Sequence, residues 1–461
     1  MKGSKNIGAR LDRMPISKWH YQLLVLIGLG MFIDSFDNYM GGAVLSDLVD
    51  RGWSSTYLNA VFVSTTMIGL FIGSLVAGIT GDRLGRKFAY QLNLLIFGIA
   101  SLVAAFVNDM ILLIILRGIM GIGLGAELVV GFGTFSEFVP ARVRGRWTSY
   151  LSLVANMGPP VALITAYLVI PIFSWRAMFF IGGVAAIIVW LMRHNLPESP
   201  RWHEARGEYD KADAIVSKVE QSIEKEIGHP LDPIIDETDN VENGEGSNIR
   251  KIAFWSLFKG ELLKRTIVAS ATLIGMNTLI YTIVNWVPTI FVQQGLSVTK
   301  SIGMVALMLV GAPVGVVIAS RTVDKFPRKS MSSVLLVLIG ILGYVYSLQR
   351  SELTIIAMGF VLIVFIYIYT CLVCSVYVPE MWPTEARLRG MGIANAVGRI
   401  SAIFSPYAVA WLLSSYGATA VFIGLGIVVV ILAIIIIMTL GIETRHKSLE
   451  EISAKVYEEL Q

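Results

Sequence analysis

The sequence predicts an all-α polytopic membrane protein, with twelve transmembrane helices in two pseudo-symmetric six-helix bundles. Three observations carry this. The chain of 461 residues is 55% hydrophobic and only 15% charged, with a mean hydropathy of +0.69, far outside the range of a soluble domain. Its apolar residues fall into twelve runs, each long enough to cross about 30 Å of hydrocarbon at about 1.5 Å per residue. Two charged motifs recur at nearly one displacement, which divides the runs into two sets of six.

In chain order, residues 1–20 form a short basic arm (Lys2, Lys5, Arg10, Arg13, Lys18). Apolar runs follow at 21–47, 57–80, 88–107, 110–136, 148–171 and 176–193, then at 265–293, 301–323, 331–349, 353–378, 390–413 and 418–441. The first run is followed by so many others that it reads as a span and not as a cleaved signal. The 43 Gly and 18 Met suit close-packed membrane helices. The expected divisions are a first bundle at 1–193, a linker at 194–264, a second bundle at 265–441 and a tail at 442–461. Helical spacing with mixed charge at 204–226 predicts amphipathic helices in the linker. The acidic, Gly/Asn-rich stretch 236–248 reads as a flexible tether, with a regulatory role also open. The tail is helical in pattern from Leu449. Alternate loops hold the positive charge: Arg83, Arg86 and Lys87; Arg142, Arg144 and Arg146; Lys325, Arg328 and Lys329; Arg387 and Arg389. The opposite loops offer little beyond Arg51, Arg176, Lys300 and Arg350. That asymmetry places both termini in the cytoplasm.

Charge inside the apolar runs marks the candidate site. Asp34 and Asp37 lie deep in the first run, where a carboxylate is costly without a partner, a pathway or a proton. Their spacing puts both on one helix face, where they titrate as a coupled pair. Arg117, seven residues into the fourth run, matches the depth of Asp37 to within a turn or two of about 5.4 Å, so an ion pair is expected. Glu127 is about 15 Å further along that helix. It fits a second proton station or a ligand for a polar substrate. Arg399 sits in the middle of the eleventh run. Its planar fork suits a substrate carboxylate, and pairing with a membrane acid or a helix-end carbonyl fits equally. Asn277, Tyr281, Asn285, Trp286 and Asn395 supply hydrogen-bonding groups and an aromatic platform as cavity liners, although packing explains each one singly.

The repeated motifs are Gly78-x3-Asp82-Arg83-x-Gly85-Arg86-Lys87, matched 242 residues later by Ser320-x3-Asp324-Lys325-x-Pro327-Arg328-Lys329, and Glu137-x2-Pro140-x3-Arg144, matched 243 residues later by Glu380-x2-Pro383-x3-Arg387. Asp82, Arg83, Arg86, Glu137, Arg144, Asp324, Arg328, Glu380 and Arg387 therefore form a candidate conformational latch, paired when one side of the protein is closed and parted when it opens. The same charges also serve simply to fix topology. No metal-ligand cluster, nucleophile–base set or phosphate loop appears. GIGLG (121–125) follows no strand and reads as a helix-packing run. Cys371 and Cys374 lack a redox-fold context. No enzyme, cofactor, metal or nucleic-acid partner is predicted.

GxxxDRLGRK (78–87), RGIMGIGLG (117–125), the paired ExxPxxxR elements, PESPRW (197–202) and IETR (442–445) together resemble the major facilitator superfamily, its sugar-porter-like and organic-ion branches best. The resemblance covers the whole chain. It implies two six-helix bundles around a central cavity with alternating access. By likeness to sugar–proton symporters, it implies that Asp37 is the proton carrier and Arg117 its switchable partner; a static ion pair is the alternative. GAELVV (125–130), the D-x-x-D of the first span, WVPT (286–289) and PEMWPTEARLRG (379–390) resemble bacterial nicotinate transporters and their synaptic-vesicle-protein relatives. The whole chain is similar to inner-membrane metabolite transporters of that group. The sugar-porter element Q-Q-x-S-G is missing from the seventh span, which speaks against a typical hexose site. The expectation is a monomeric proton symporter of the bacterial inner membrane, carrying an organic acid, a sugar acid or a sugar. Nicotinate or aromatic-acid uptake, antiport, and a non-transporting sensor on the same fold are the other readings.

Overall fold

The computed structural model describes residues 6–233, 252–280, 304–305, 307–445, 447 and 449–459, and these are helix and connecting loop throughout. A short α1 (Ile7–Asp12) precedes a 33-residue α2 (Lys18–Asp50). Then come α3 (Thr56–Leu84), α4 (Arg86–Ala104), α5 (Met110–Phe138), α6 (Arg144–Asn156), α7 (Gly158–Phe173) and α8 (Arg176–Met192). Two linker helices follow, α9 (Pro200–Ala205) and α10 (Tyr209–Ile227). The second half holds α11 (Gly260–Ile280), α12 (Gly311–Thr322), α13 (Arg328–Ser347), α14 (Glu352–Thr370), α15 (Arg387–Tyr416), α16 (Ala418–Leu440) and α17 (Leu449–Glu459). Seven helical stretches among the described residues are long and apolar enough to cross a membrane.

Local chemistry sets the boundaries. The side chains of Ser55, Asp109 and Ser351 accept the Leu58, Leu112 and Thr354 amides and cap α3, α5 and α14, a role suited to short polar residues with an acceptor oxygen. Pro159 and Pro160 open α7. Proline supplies no N–H and clashes with the preceding turn, so the fifth span is broken into α6 and α7. After α14 the helix widens into a π-helical stretch, Cys371–Tyr377, before a last turn at Val378–Glu380. Both cysteines lie in that stretch as free thiols.

Close helix approach rests on glycine. A Cβ on Gly73 would stand 2.1 Å from the Ile122 carbonyl oxygen, and one on Gly125 would stand 2.2 Å from that of Leu70. The glycine run in α5 is therefore the surface that lets α3 lie against it. The two halves of the chain meet in the same way: a Cβ on Gly78 of α3 would be 2.5 Å from the Leu388 carbonyl, and one on Gly392 of α15 would be 2.4 Å from that of Ser74. On the side of the termini, α1 packs on α10 through Ile7, Leu11, Val216 and Ile223. Arg10 bridges to Glu220 (2.5 Å) and Asp213 (2.6 Å). At the other end of the chain, Tyr457 of α17 donates to Glu385 (2.8 Å).

Candidate functional site

The centre of the first half holds an ordered series of buried charges. Asp37 on α2 and Arg117 on α5 are fully enclosed and form a salt bridge. Arg117 has further holds. Its Nε donates to Thr66 Oγ1 (3.1 Å), Nη2 donates to the Asp37 carbonyl (3.4 Å), and its guanidinium lies 5.3 Å from the Phe62 ring centroid. Asp37 Oδ1 is buried with no hydrogen-bond partner among the described residues. A cavity of about 290 Å³ reaches Arg117 from the side away from the termini, with Asn38, Tyr39, Phe62, Thr66 and Ile280 in its wall. The Tyr39 and Tyr367 hydroxyls approach to 3.5 Å across the two halves of the chain.

One turn inward, Asp34 is 6% exposed. The charged groups around it are Arg399 on α15, Glu127, Asp37 and Arg117. Arg399 is also buried, and its Nε has no hydrogen-bond partner among the described residues. The site thus sets an acid of the first half beside a base of the second.

Glu127 lies deeper still and is not a free acid. Its Oε1 accepts from Arg193 Nη2 at 2.6 Å. Arg193, just past α8, also donates to the Leu26 and Ile27 carbonyls and sits 4.8 Å from the Tyr90 ring centroid. Gly30 makes room for this pair, because a Cβ there would stand 2.1 Å from Arg193 Nη2. Arg193 was not legible beforehand: an arginine ending an apolar run reads as a topology charge, not as one reaching back into the bundle.

Of the expected cavity liners, Asn277 and Asn395 spend their amide donors on carbonyls four residues back, Leu273 and Met391, at 2.9 Å each. Gly398 of α15 packs on the Asn277 amide, with its ideal Cβ position 2.8 Å from Nδ2. These contacts are of the packing kind that the sequence also allows for each residue singly. Tyr281, Asn285 and Trp286 lie outside the described residues.

The latch charges converge on the side of the termini. Glu137 accepts from Arg86 (Nη2, 2.8 Å; Nε, 3.2 Å) and, across the halves, from Arg387 (2.8 Å). Asp82 accepts the Leu388 and Arg389 amides at the start of α15 (3.2 and 3.0 Å) and is 3.2 Å from Arg86. In the second set, Asp324 accepts the Arg146 amide (2.7 Å) and pairs with Arg328 (2.9 Å). Glu380 lies 3.7 Å from Arg328 and 4.0 Å from Arg144. Arg83 does not join: its side chain is exposed and its carbonyl accepts from Arg206 (2.9 Å). It follows the last turn of α3 around to solvent.

Residues outside the predicted set complete the network. Arg389 Nε reaches Asp82 (3.0 Å). Glu198 accepts the Arg86 and Lys87 amides (2.8 and 3.1 Å), and Glu443 accepts those of Arg328 and Lys329 (2.9 and 3.2 Å). The two glutamates thus cap α4 and α13 alike. Burial pushes the Glu198 carboxyl above its usual range, against the pull of the Ser199 and Arg86 donors. The signal for this pair was available: Glu-Ser-Pro-Arg at 198–201 and Glu-Thr-Arg at 443–445 are a third repeat.

Two halves joined through small residues, charges buried mid-membrane and ion pairs spanning the seam define a metabolite transporter with the major facilitator fold. The chain belongs to the family described as Sugar (and other) transporter, whose profile matches residues 21–456. It is 46% identical to the inner membrane metabolite transport protein YdjE of Escherichia coli, over 98% of this chain and 99% of that one. It is 31% identical to the niacin transporter NiaP of Acinetobacter baylyi, over 96% and 99%. Among solved structures, the proton:xylose symporter XylE superposes with a TM-score of 0.76 at 20% identity, covering 95% of this chain and 99% of that one. XylE from E. coli in a partially occluded, inward-open form gives 0.67 at 18% identity, covering 94% and 100%.

Proposed function

We propose that the chain is a proton-coupled symporter of the inner membrane for a small, compact metabolite carrying a carboxylate, with both termini in the cytoplasm. The observation that carries this is the buried Asp37–Arg117 pair, whose arginine lines a small cavity, with Asp34 and Arg399 one turn further in. A proton entering at Asp37 Oδ1 neutralises the carboxyl, and Arg117 keeps Thr66, the Asp37 carbonyl and the Phe62 ring. The guanidinium is then not left bare, so the pair can part without the full cost of an orphaned buried charge. A substrate carboxylate on Arg399 replaces Asp34 as its counter-charge. Substrate anion and proton therefore arrive as a neutral pair, which a low-dielectric site admits far more readily than either charge alone.

In this reading the latch closes the cytoplasmic side. The cavity volume is at the low end for ligand sites, which supports a single-ring or short-chain acid. The niacin transporter among the relatives, and a 4-hydroxybenzoate transporter of A. baylyi at 26% identity, support aromatic monocarboxylates first.

Proteoliposomes loaded with the protein test this with radiolabelled nicotinate, 4-hydroxybenzoate and D-xylose under an imposed pH gradient. Wild type is expected to accumulate one of the two acids and to lose accumulation with a protonophore. Asp37→Asn is expected to lose uphill accumulation at least tenfold while keeping exchange of pre-loaded substrate. Accumulation retained in Asp37→Asn removes Asp37 from coupling. Uptake of xylose alone removes the carboxylate.

A further inference from the structure

Between Asp34 and Glu127 lies a cavity of about 10 Å³, walled also by Asn93, Leu94, Phe97 and Gly123. That is close to the smallest space a single water occupies, about 10–15 Å³ by the same measure. Its apolar wall comes from α4 and α5, and its polar atoms are the unusual part. Arg193 takes only Glu127 Oε1. Glu127 Oε2 and Asn93 Nδ2 are both buried, and neither has a hydrogen-bond partner among the described residues. Buried polar atoms left in that condition are costly, so two of them on one small cavity need a common explanation. The third polar side chain on the same wall is Asp34.

We propose that Asp34, Asn93 and Glu127 enclose a site for one ordered water molecule that relays a proton between the two carboxylates. The water accepts from Asn93 Nδ2, donates to Glu127 Oε2, and bonds to Asp34, accepting when Asp34 is protonated and donating when it is a carboxylate, three bonds of the two to four a buried water makes. In the transfer, a protonated Asp34 gives its proton to the water oxygen as the water gives one of its own to Glu127 Oε2. Asp34 becomes a carboxylate, Glu127 becomes a carboxylic acid, and the water is unchanged. Asn93 does not titrate; it is a positioning residue that fixes which way the water points. The charged and titratable groups around the relay are Asp37 on α2, Arg117 on α5, Tyr90 on α4, Arg193 beyond α8 and Arg399 on α15. Arg193 steadies Glu127 whenever it is a carboxylate. The relay carries the proton of the symport reading onward, from the Asp37 level towards the cytoplasmic side.

The test needs no transported substrate, so it is separate from the test of symport. Infrared spectra of the protein in lipid are recorded against pH in H2O, D2O and H218O. Wild type is expected to show a water O–H band that shifts in H218O and depends on pH together with a carboxyl C=O band. Asp34→Asn and Glu127→Gln should each remove one carboxyl component and shift the other's midpoint by about one pH unit or more, as coupled sites do. Asn93→Leu, which fills the site, should abolish the H218O-sensitive band and uncouple the two midpoints. Asn93→Ser, smaller and still polar, should keep both. A band and coupled titration that survive Asn93→Leu would overturn the proposal, as would their absence from wild type. The band present in a protein that shows no proton-driven uptake leaves the water site standing and overturns symport instead.

Discussion

At Glu137, three contacts from arginine nitrogens close to hydrogen-bonding distance, 2.8 to 3.2 Å. At Glu380, its counterpart 243 residues later, the arginines stand off at 3.7 and 4.0 Å, and the short contact is the Thr444 hydroxyl at 2.7 Å. The motifs are the same and the halves exchange partners in the same way: Arg387 crosses to Glu137, and Arg144 crosses towards Glu380. The difference comes from what surrounds them. Asp82 is held by two amides and by the Arg389 side chain, with its own side chain 1% exposed. Asp324 is 20% exposed and accepts the Arg146 amide, while the Arg146 side chain turns to Tyr150. Arg144 also lies 3.7 Å from Asp12 of the N-terminal arm, so Glu380 shares it. One corner is a dry, saturated lock, and the other is a looser contact with an outside competitor. The seam between α6 and α12 should therefore part at lower cost than the seam between α3 and α15.

The largest effect should come from Glu137→Gln. It strips charge from a fully buried carboxylate and leaves Arg86 and Arg387 facing each other, a loss of about 3–5 kcal/mol for breaking such a network. Spin labels at the exposed positions Arg83 and Lys264 report the α3 corner, and labels at Arg142 and Lys325 report the α6 corner. Glu137→Gln should shift both distance distributions to the open form. Glu380→Gln should cost less, about 1.5–3 kcal/mol for one charge-assisted hydrogen bond, and should move the α6 pair while leaving most of the α3 pair closed. Equal shifts from the two variants would show that the corners open as one.

Most of this frame was readable from the chain: the spans, Asp34, Asp37 and Arg117 by their cost in hydrocarbon, and the latch by its repeat. The inequality of the corners was not. It depends on Asp12, a residue in a polar arm with no apolar period to mark it, and on Arg146 choosing Tyr150. The Asp12–Arg144 pairing joins residues far apart in sequence, and nothing local says which of two neighbours Arg146 takes. Arg193 escaped for the same reason. Asn277 and Asn395 were less legible, because an amide in a membrane helix satisfies itself on its own backbone as readily as on a ligand.

Packing gives a sharper tool than charge for the tight corner. Gly392→Ala puts a methyl group 2.4 Å from the Ser74 carbonyl, a backbone atom that cannot swing aside. Overpacking of this kind costs about 1–3 kcal/mol. The closed form alone bears it, since α3 and α15 separate on opening. The Arg83–Lys264 distance should lengthen with the Arg142–Lys325 distance little changed, the reverse of Glu380→Gln. A lengthening of the second pair alone would contradict the assignment of that seam.

The smallest effect concerns the arm that competes for Arg144. Burial acts to raise the Glu220 carboxyl, but hydrogen bonds and charge from Arg10 and Arg13 outweigh it and hold the group below its ordinary value of 4.5. The stabilisation this lends to the docked arm is complete above that value and is lost as pH falls through the lower, docked-state value. A spin label at Ala9 should therefore show an immobilised arm from neutral pH down to about 4.5, with mobility rising below it. Glu220→Gln should raise mobility at neutral pH and flatten the acid response. Freed of the arm, Asp12 leaves Arg144 to Glu380, so the Arg142–Lys325 distance should tighten in Glu220→Gln. An acid response of undiminished size in that variant would assign the arm's release to another group.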